Sequence, residues 1–406
     1  MRSSKKHCRA IRRYFLFFTA ITLLPLALVY LVTNEQVYRI KAYEVSTGKS
    51  RNGLAERTFR YPLMLLGPLK ELAKRAAGNS VYSAANKRKK RKDFDNDTKL
   101  HTLPDDVVRT LSQAEMDLVE QRMRKRRKHL AQKCSENGLD VPGNESWHKP
   151  NPWEFLVNRK HHLIWCNVFK AASSSWMYNF NILAGYSPEF LKKTSEVPLT
   201  LARKRYPRVS LDELREAQNE SITFIIARHP FERLLSAYRD KFVFAVPHSF
   251  HDKLGSKIVR TYRKNKNNRN SPKYPTFSEF VSWLLDQVRR NSYIDMHLVP
   301  ASKFCTPCLI NFDVIAKFET LEEDQIFLIE KAGLQHIIMP EWKNSGKGKN
   351  TLELLQTFYS QLTRKQLDGL YNYYRFDFEI FDYNPTPYYS IVKYDEPTDE
   401  PNPEKM

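Results

Sequence analysis

Residues 14–32, from Tyr14 to Val32, carry no charge, and only Thr19, Thr22 and Pro25 interrupt their apolar run. A helix rising 1.5 Å per residue would reach roughly 28 Å here, about the thickness of a bilayer's hydrocarbon core. Arg2, Lys5, Lys6, Arg9, Arg12 and Arg13 precede the run with no intervening acid. By the positive-inside rule, residues 1–13 stay cytosolic and the chain beyond residue 33 is lumenal. A cleaved signal peptide would have a shorter apolar stretch, about 7–15 residues, followed by an Ala-x-Ala-like site. No such site follows Val32, so an uncleaved signal anchor is expected.

A lumenal body is consistent with three glycosylation sequons, at Asn96, Asn144 and Asn219. Cys8 lies before the anchor. Cys134, Cys166, Cys305 and Cys308 would share an oxidising compartment, and their three possible pairings stay open. The Cys305–Cys308 spacing has no second ligand pair at zinc-site distance, so no metal is expected. Hydrophobic residues make up 41% of the 406, which excludes a wholly disordered chain, and five cysteines are too few for a disulfide scaffold.

Residues 33–150 read as a basic, partly disordered stem, with residues 106–133 as a helical stretch. Two runs mark it, Lys87–Lys92 and Arg124–Lys128. They read as a solvated linker, as a docking strip for a polyanionic glycan, or as a processing site for a basic-residue protease. Behind an anchor they do not meet nucleic acid. Taking the six cations of one run and the five of the other from the net charge of +21 leaves +10. A body of that sign attracts an anionic partner.

From residue 151 to 392 the pattern is that of an α/β domain, with 393–406 as a flexible tail. Leu163–Phe169, Ile222–Ala227 and Asp313–Phe318 are short, mostly apolar runs typical of buried strands. Helical stretches follow each, at Ser175–Leu183, Phe231–Phe242 and Leu321–Ala332. Strands alternating with helices predict a parallel sheet covered on both faces. Residues 252–275, basic and rich in Asn, read as an exposed insertion.

Two segments carry the chemistry. The first is Phe169-Lys170-Ala171-Ala172-Ser173-Ser174-Ser175-Trp176. A strand, a turn of small residues and then a helix is the geometry of a phosphate cradle, in which backbone N–H groups and a helix N-terminus face the anion. The Walker A pattern is absent, and taken alone the segment also fits an ordinary serine-rich N-cap. The second runs from Arg228-His229-Pro230 through Ser236 to Lys241. It sets Arg228 at the carboxyl end of a strand, where open α/β sheets bind ligands. Its plain alternative is a solvated helix with Glu232 and Asp240 paired to Arg233, Arg239 or Lys241.

Together these segments resemble the 5′-phosphosulfate and 3′-phosphate motifs of membrane-anchored Golgi carbohydrate sulfotransferases. The similarity is to the chondroitin and dermatan 4-O-sulfotransferase branch. Arg228–Phe242, Cys305-Thr306-Pro307-Cys308, Phe312–Glu322 and Leu370-Tyr371…Tyr374…Asp377-Phe378…Phe381…Tyr383 match it, so the resemblance spans roughly residues 160–390. Phe169 stands where the family usually has proline. Ser173-Ser174-Ser175-Trp176 replaces Cys-Ser/Thr-Asn-Trp, and His297-Leu298 replaces His-Trp.

The resemblance implies a P-loop-like sulfotransferase fold, a Golgi membrane location and 3′-phosphoadenosine 5′-phosphosulfate as donor, with no metal. The acceptor would be an anionic glycan, specifically the 4-hydroxyl of N-acetylgalactosamine in chondroitin or dermatan. Lys170 would contact the bridging and leaving oxygens. Ala171, Ala172, Ser173, Ser174 and Ser175 would hold the 5′-phosphate, and Arg228 and Ser236 the 3′-phosphate. His297 is the first candidate for the general base, with Glu232 and His229 as rivals and a structural histidine as the plain alternative. The alternative for the whole chain is a catalytically degenerate glycan-binding protein of the same fold.

Overall fold

The computed structural model describes residues 102–145, 148–264, 271–340 and 351–393. The anchor at 14–32, the run Lys87–Lys92, Asn96 and the tail beyond Lys393 lie outside them. Among the described residues no helix is long and apolar enough to cross a membrane. In chain order the elements are α1 (Gln113–Glu136), β1 (Phe155–Asn158), β2 (Leu163–Cys166), α2 (Ser173–Leu183), α3 (Pro188–Lys193), α4 (Pro198–Arg205), α5 (Leu211–Gln218), β3 (Ile222–Ala227) and α6 (Pro230–Tyr238). They continue as α7 (Phe250–Tyr262), α8 (Phe277–Arg289), α9 (Ala301–Cys305), β4 (Val314–Lys317), α10 (Leu321–Lys331), α11 (Thr351–Tyr359), α12 (Arg364–Ile380) and α13 (Thr386–Tyr389).

The three apolar runs pair as expected. β2, β3 and β4 lie parallel, with Leu163 opposite Ile222 and Phe224 opposite Val314. Their near-continuous apolar character follows from burial: all four residues of β2 and five of the six in β3 are buried. The sheet is not wholly parallel, because β1 adds an antiparallel edge against β2. Phe155-Leu156-Val157-Asn158 is too short to stand out as a periodic pattern. Trp165 stacks on Phe224 with ring centroids 6.0 Å apart, and Trp176 of α2 meets the same Phe224 at 4.5 Å. These rings fix the strand–turn–helix unit on the sheet.

Apolar packing falls into two clusters. One surrounds the sheet with α1, α2 and α10. The other is helical, built from α6, α7, α8, α11 and α12. α12 contributes Leu367, Tyr374 and Phe378 to the helical cluster and Ile380 to the other, so it spans both.

The structure corrects two expected boundaries. The helix foreseen within the stem is α1, and it is part of the body. Ser112 and Glu115 close a reciprocal capping box at its start. Val119, Met123, Leu130 and Cys134 are buried on its inner face. Arg126 Nη1 donates to Asp324 Oδ2 at 2.6 Å and Arg122 Nη1 to Oδ1 at 3.0 Å, where the Asp324 side chain is fully buried. The cationic run thus spends Arg126 inward, while Arg124, Lys125 and Lys128 stay exposed. The second correction concerns residues 252–275. Their first half belongs to α7, which buries Gly255 and Ile258 and packs on α8.

The cysteine pairing, open in the sequence, is Cys134–Cys308 and Cys166–Cys305, with Cα atoms 5.4 Å and 6.0 Å apart. The first pins α1 to the body across 174 residues. A long closed loop gains most from such a cross-link, typically about 2–4 kcal/mol. Replacing both Cys134 and Cys308 by serine is expected to lower unfolding stability by that amount. Hydrogen exchange should then rise first across residues 113–136, and chemical denaturation of the full chain followed by exchange mass spectrometry measures both.

Candidate functional site

The carboxyl ends of β2 and β3 each pass into a turn and a helix, and the two turns meet. After β2 the chain bends through Val168–Ala172. Lys170 has φ +68° and Ala172 has φ +56°, both in the left-handed region that side chains avoid at a cost of order 1–3 kcal/mol. Tertiary packing holds this shape: Ala171 is 1% exposed, and Trp176 is buried in the turn of helix that follows. Ala172 is the N-cap of α2 and offers no side-chain cap, and no acid stands in the first turn. The N–H groups of Ser173 and Ser174 therefore have no acceptor within the helix. Ser174 is exposed, Ser173 half-buried and Ser175 buried.

After β3, Arg228 reaches back to the first turn. Its Nη1 donates to the Lys170 carbonyl at 3.2 Å, its Nη2 lies 3.5 Å from Glu232 Oε2, and its guanidinium sits 4.1 Å from the Phe318 ring centre at the end of β4. Among the described residues its buried Nε has no hydrogen-bond partner. Pro230 occupies the first turn of α6, where a missing N–H is tolerated. The helix then passes into a π-helical turn, Arg239–Val243, which carries Asp240 and Lys241. Asp240 Oδ2 lies 3.1 Å from Lys170 Nζ and 3.2 Å from Lys241 Nζ. Ser236 sits half-buried on α6 and makes no hydrogen bond with Arg228.

Burial lowers the basicity of Lys170, and Asp240 opposes it. Burial likewise lowers that of Arg228, against Glu232 and Glu319. Burial works to raise the Asp240 carboxyl, but Lys170 and Lys241 together keep it below its usual value. Glu232 is raised, chiefly by burial. These cations are held partly dehydrated beside weak counter-charges, the condition under which an incoming anion gains most.

His297 comes to the same place. Its ring lies 4.5 Å from that of Phe169, next to Lys170. Its Nδ1 is 2.5 Å from Asp295 Oδ1, and His251 Nε2 of α7 is 3.3 Å from Asp295 Oδ2. Burial lowers the basicity of His297, the Asp295 hydrogen bond opposes this, and Lys241 and Lys170 add to the lowering. The rival His229 stands elsewhere: its ring packs against Tyr388, Phe378 and Tyr383 at 4.8, 5.3 and 5.3 Å, and its N–H donates to Glu319. Those aromatic rings enclose it. Glu232, the other rival, is tied to Arg228.

Among the described residues, His251, Asp295 and His297 also have metal-ligand spacing. That cluster is invisible in the sequence because 44 residues separate His251 from Asp295. Arg233 is not singled out by the sequence pattern, which allows it a place on a solvated helix face beside Glu232 or Asp240. It is 2% exposed, donates to the carbonyls of Val299 at 2.6 Å and His297 at 3.3 Å, and lies 4.0 Å from Asp377. The available signal was its setting, since Phe231, Leu234, Leu235 and Tyr238 around it are all buried. Asn144 and Asn219 are exposed, as acceptor sequons require. Asn219 also lines a cleft of about 740 Å³ at the opposite, amino-terminal end of the strands, with Lys160, His162 and Asp313.

A family model described as "Sulfotransferase family" matches residues 153–384. Carbohydrate sulfotransferase 11 of Mus musculus is 32% identical over 250 residues, covering 60% of this chain and 70% of that one. Carbohydrate sulfotransferase 9 of Homo sapiens is 31% identical over 279 residues, 66% of this chain and 61% of that one. Carbohydrate sulfotransferase 14 of Danio rerio is 32% identical over 238 residues, 57% and 62% of the two chains. No solved structure matches the chain.

Truncating Arg233 would leave Asp377 as a buried, unpaired carboxylate. Arg233→Ala is therefore expected to lower stability by about 3–5 kcal/mol, measured by chemical denaturation. Unfolding at the wild-type midpoint would show that the pair does not hold the site.

Proposed function

The chain belongs to the sulfotransferase family, and from that premise we propose that it transfers a sulfuryl group from 3′-phosphoadenosine 5′-phosphosulfate to a hydroxyl of an anionic glycan. The acceptor we assign is the 4-hydroxyl of N-acetylgalactosamine in chondroitin or dermatan, on the branch resemblance of Arg228–Phe242 and on the basic body. The observation that supports the reading is the hydrogen bond from Arg228 to the Lys170 carbonyl, which joins the two turns directly, as binding of one nucleotide by both would need.

In the proposed site the N–H groups and hydroxyls of the turn from Ala171 to Ser175 hold the 5′-phosphate. Arg228 holds the 3′-phosphate, with Ser236 beside it. Lys170 exchanges Asp240 for the donor and meets the charge that grows on the leaving oxygen. Fixed cations aimed at developing charge are what lower such a barrier. The acceptor oxygen bonds to sulfur as the sulfur–oxygen bond to the phosphate breaks, and His297 takes the hydroxyl proton. A base held neutral below its usual basicity suits this step.

We place the enzyme in the Golgi as a single-pass type II membrane protein, with Asn96, Asn144 and Asn219 as glycan sites. The uncharged run at 14–32 and the two disulfides of an oxidising lumen support this.

Full-length protein incubated with the labelled donor and a panel of desulfated glycans tests the reading, with disaccharide analysis of the products. Sulfation of desulfated chondroitin at the 4-position of N-acetylgalactosamine is expected. Lys170→Ala is expected to reduce turnover roughly 10²–10³-fold, as loss of one transition-state donor does. In calorimetry with adenosine 3′,5′-bisphosphate, Arg228→Ala should weaken binding about 10–100-fold. Glycan binding with no nucleotide affinity in the wild type would instead make the chain a non-catalytic glycan-binding protein.

A further inference from the structure

The base candidate is one of three side chains joined by a single carboxylate. Asp295 and His297 share one short loop, and His297 N–H also donates to Asp295 Oδ1 at 2.9 Å. His251 comes from α7, and the two imidazole rings stand 6.2 Å apart and nearly perpendicular. Each ring presents one nitrogen to a different oxygen of Asp295, Nδ1 of His297 to Oδ1 and Nε2 of His251 to Oδ2. Those two contacts keep the carboxyl far below its usual range, although burial works the other way. An ionised carboxylate accepts hydrogen bonds only, so both facing nitrogens must carry protons.

We propose that Asp295 and His251 are positioning residues for His297: the bridging carboxylate holds the His297 proton on Nδ1 and leaves Nε2 free to receive the proton of the acceptor hydroxyl. This deepens the reading above and rests on it. As the acceptor oxygen forms its bond to sulfur, the hydroxyl proton moves to Nε2. The electron pair of the broken sulfur–oxygen bond leaves with the phosphate. The imidazolium so formed keeps its Nδ1–H on Asp295, which stays ionised and neutralises it. Around the ring, Lys170 and Lys241 resist that charge and Asp295 favours it, while Arg233 grips the residue's carbonyl. Because His251 sits on α7, the base is complete only when that helix is docked.

The test is the pH profile of sulfuryl transfer by the full chain to desulfated chondroitin. His297 acts when neutral, so activity falls as pH drops through its pKa. Asp295→Asn removes the group that raises that pKa. The acid limb is therefore expected to move to lower pH while the plateau falls about 10²–10⁴-fold, with the KM for the donor unchanged. His251→Gln keeps an N–H donor and should stay near wild type, whereas His251→Ala should lose roughly 3–10-fold. Wild-type turnover and an unmoved acid limb in Asp295→Asn would overturn the proposal. So would loss of activity on chelation that zinc restores, which would assign the three side chains to a metal. A silent wild type, or an unaffected His297→Ala, would instead remove the functional reading on which the proposal stands.

Discussion

The buried pair of Arg233 and Asp377 carries the architecture of the site. Both side chains are buried, so each must find its partners inside the protein or cost several kcal/mol. Arg233 spends its donors on the carbonyls of His297 and Val299. Asp377 accepts the N–H groups of Ala301 and Ser302, each at 2.7 Å, which caps α9. Between them Tyr374 donates to the Leu298 carbonyl at 2.6 Å. Five backbone groups of residues 297–302 are thus held from α6 or α12: three carbonyls and two N–H groups. Since α6 also begins at the Arg228 turn, that turn and His297 belong to one rigid frame.

The site's electrostatics follow from this frame. Lys170 and Arg228 stand a few ångströms apart, yet each has an acid of α6 or its π-helical extension beside it. Asp240 and Glu232 offset repulsion between the cations in the absence of an anion. Asp240 is about half exposed, so its grip is screened and readily exchanged. The backbone of the turn beside these cations is left-handed at Lys170 and Ala172. Strain stored in the turn is repaid by Trp165, Trp176 and Phe224 beneath it.

What the sequence revealed of this arrangement followed the strength of local signals. The apolar runs of β2, β3 and β4 and the helices after them are legible, because a buried parallel strand has no polar face to confuse the pattern. The start of α1 lay seven residues beyond its expected position, and the Ser112–Glu115 box marks it. That α1 belongs to the body was hidden. Its outer face is so cationic that the inward Arg122 and Arg126 look like the rest until Asp324 is placed beneath them. α7 was obscured in the same way by its basic surface. His251, Asp295 and Arg233 lay beyond reach for another reason: their roles depend on contacts across 44 to 144 residues, which no spacing rule encodes.

Both cross-links end on the four residues from Cys305 to Cys308. One comes from α1 and the other from the end of β2, immediately before the lysine turn. Made from its amino terminus, the chain holds Cys134 and Cys166 long before either partner exists. For that interval they are close enough in sequence to join each other wrongly. Native pairing therefore waits until three quarters of the polypeptide has been made, and any early Cys134–Cys166 bond would have to be undone by thiol–disulfide exchange. α1 and the turn that carries Lys170 would be secured in the same late event.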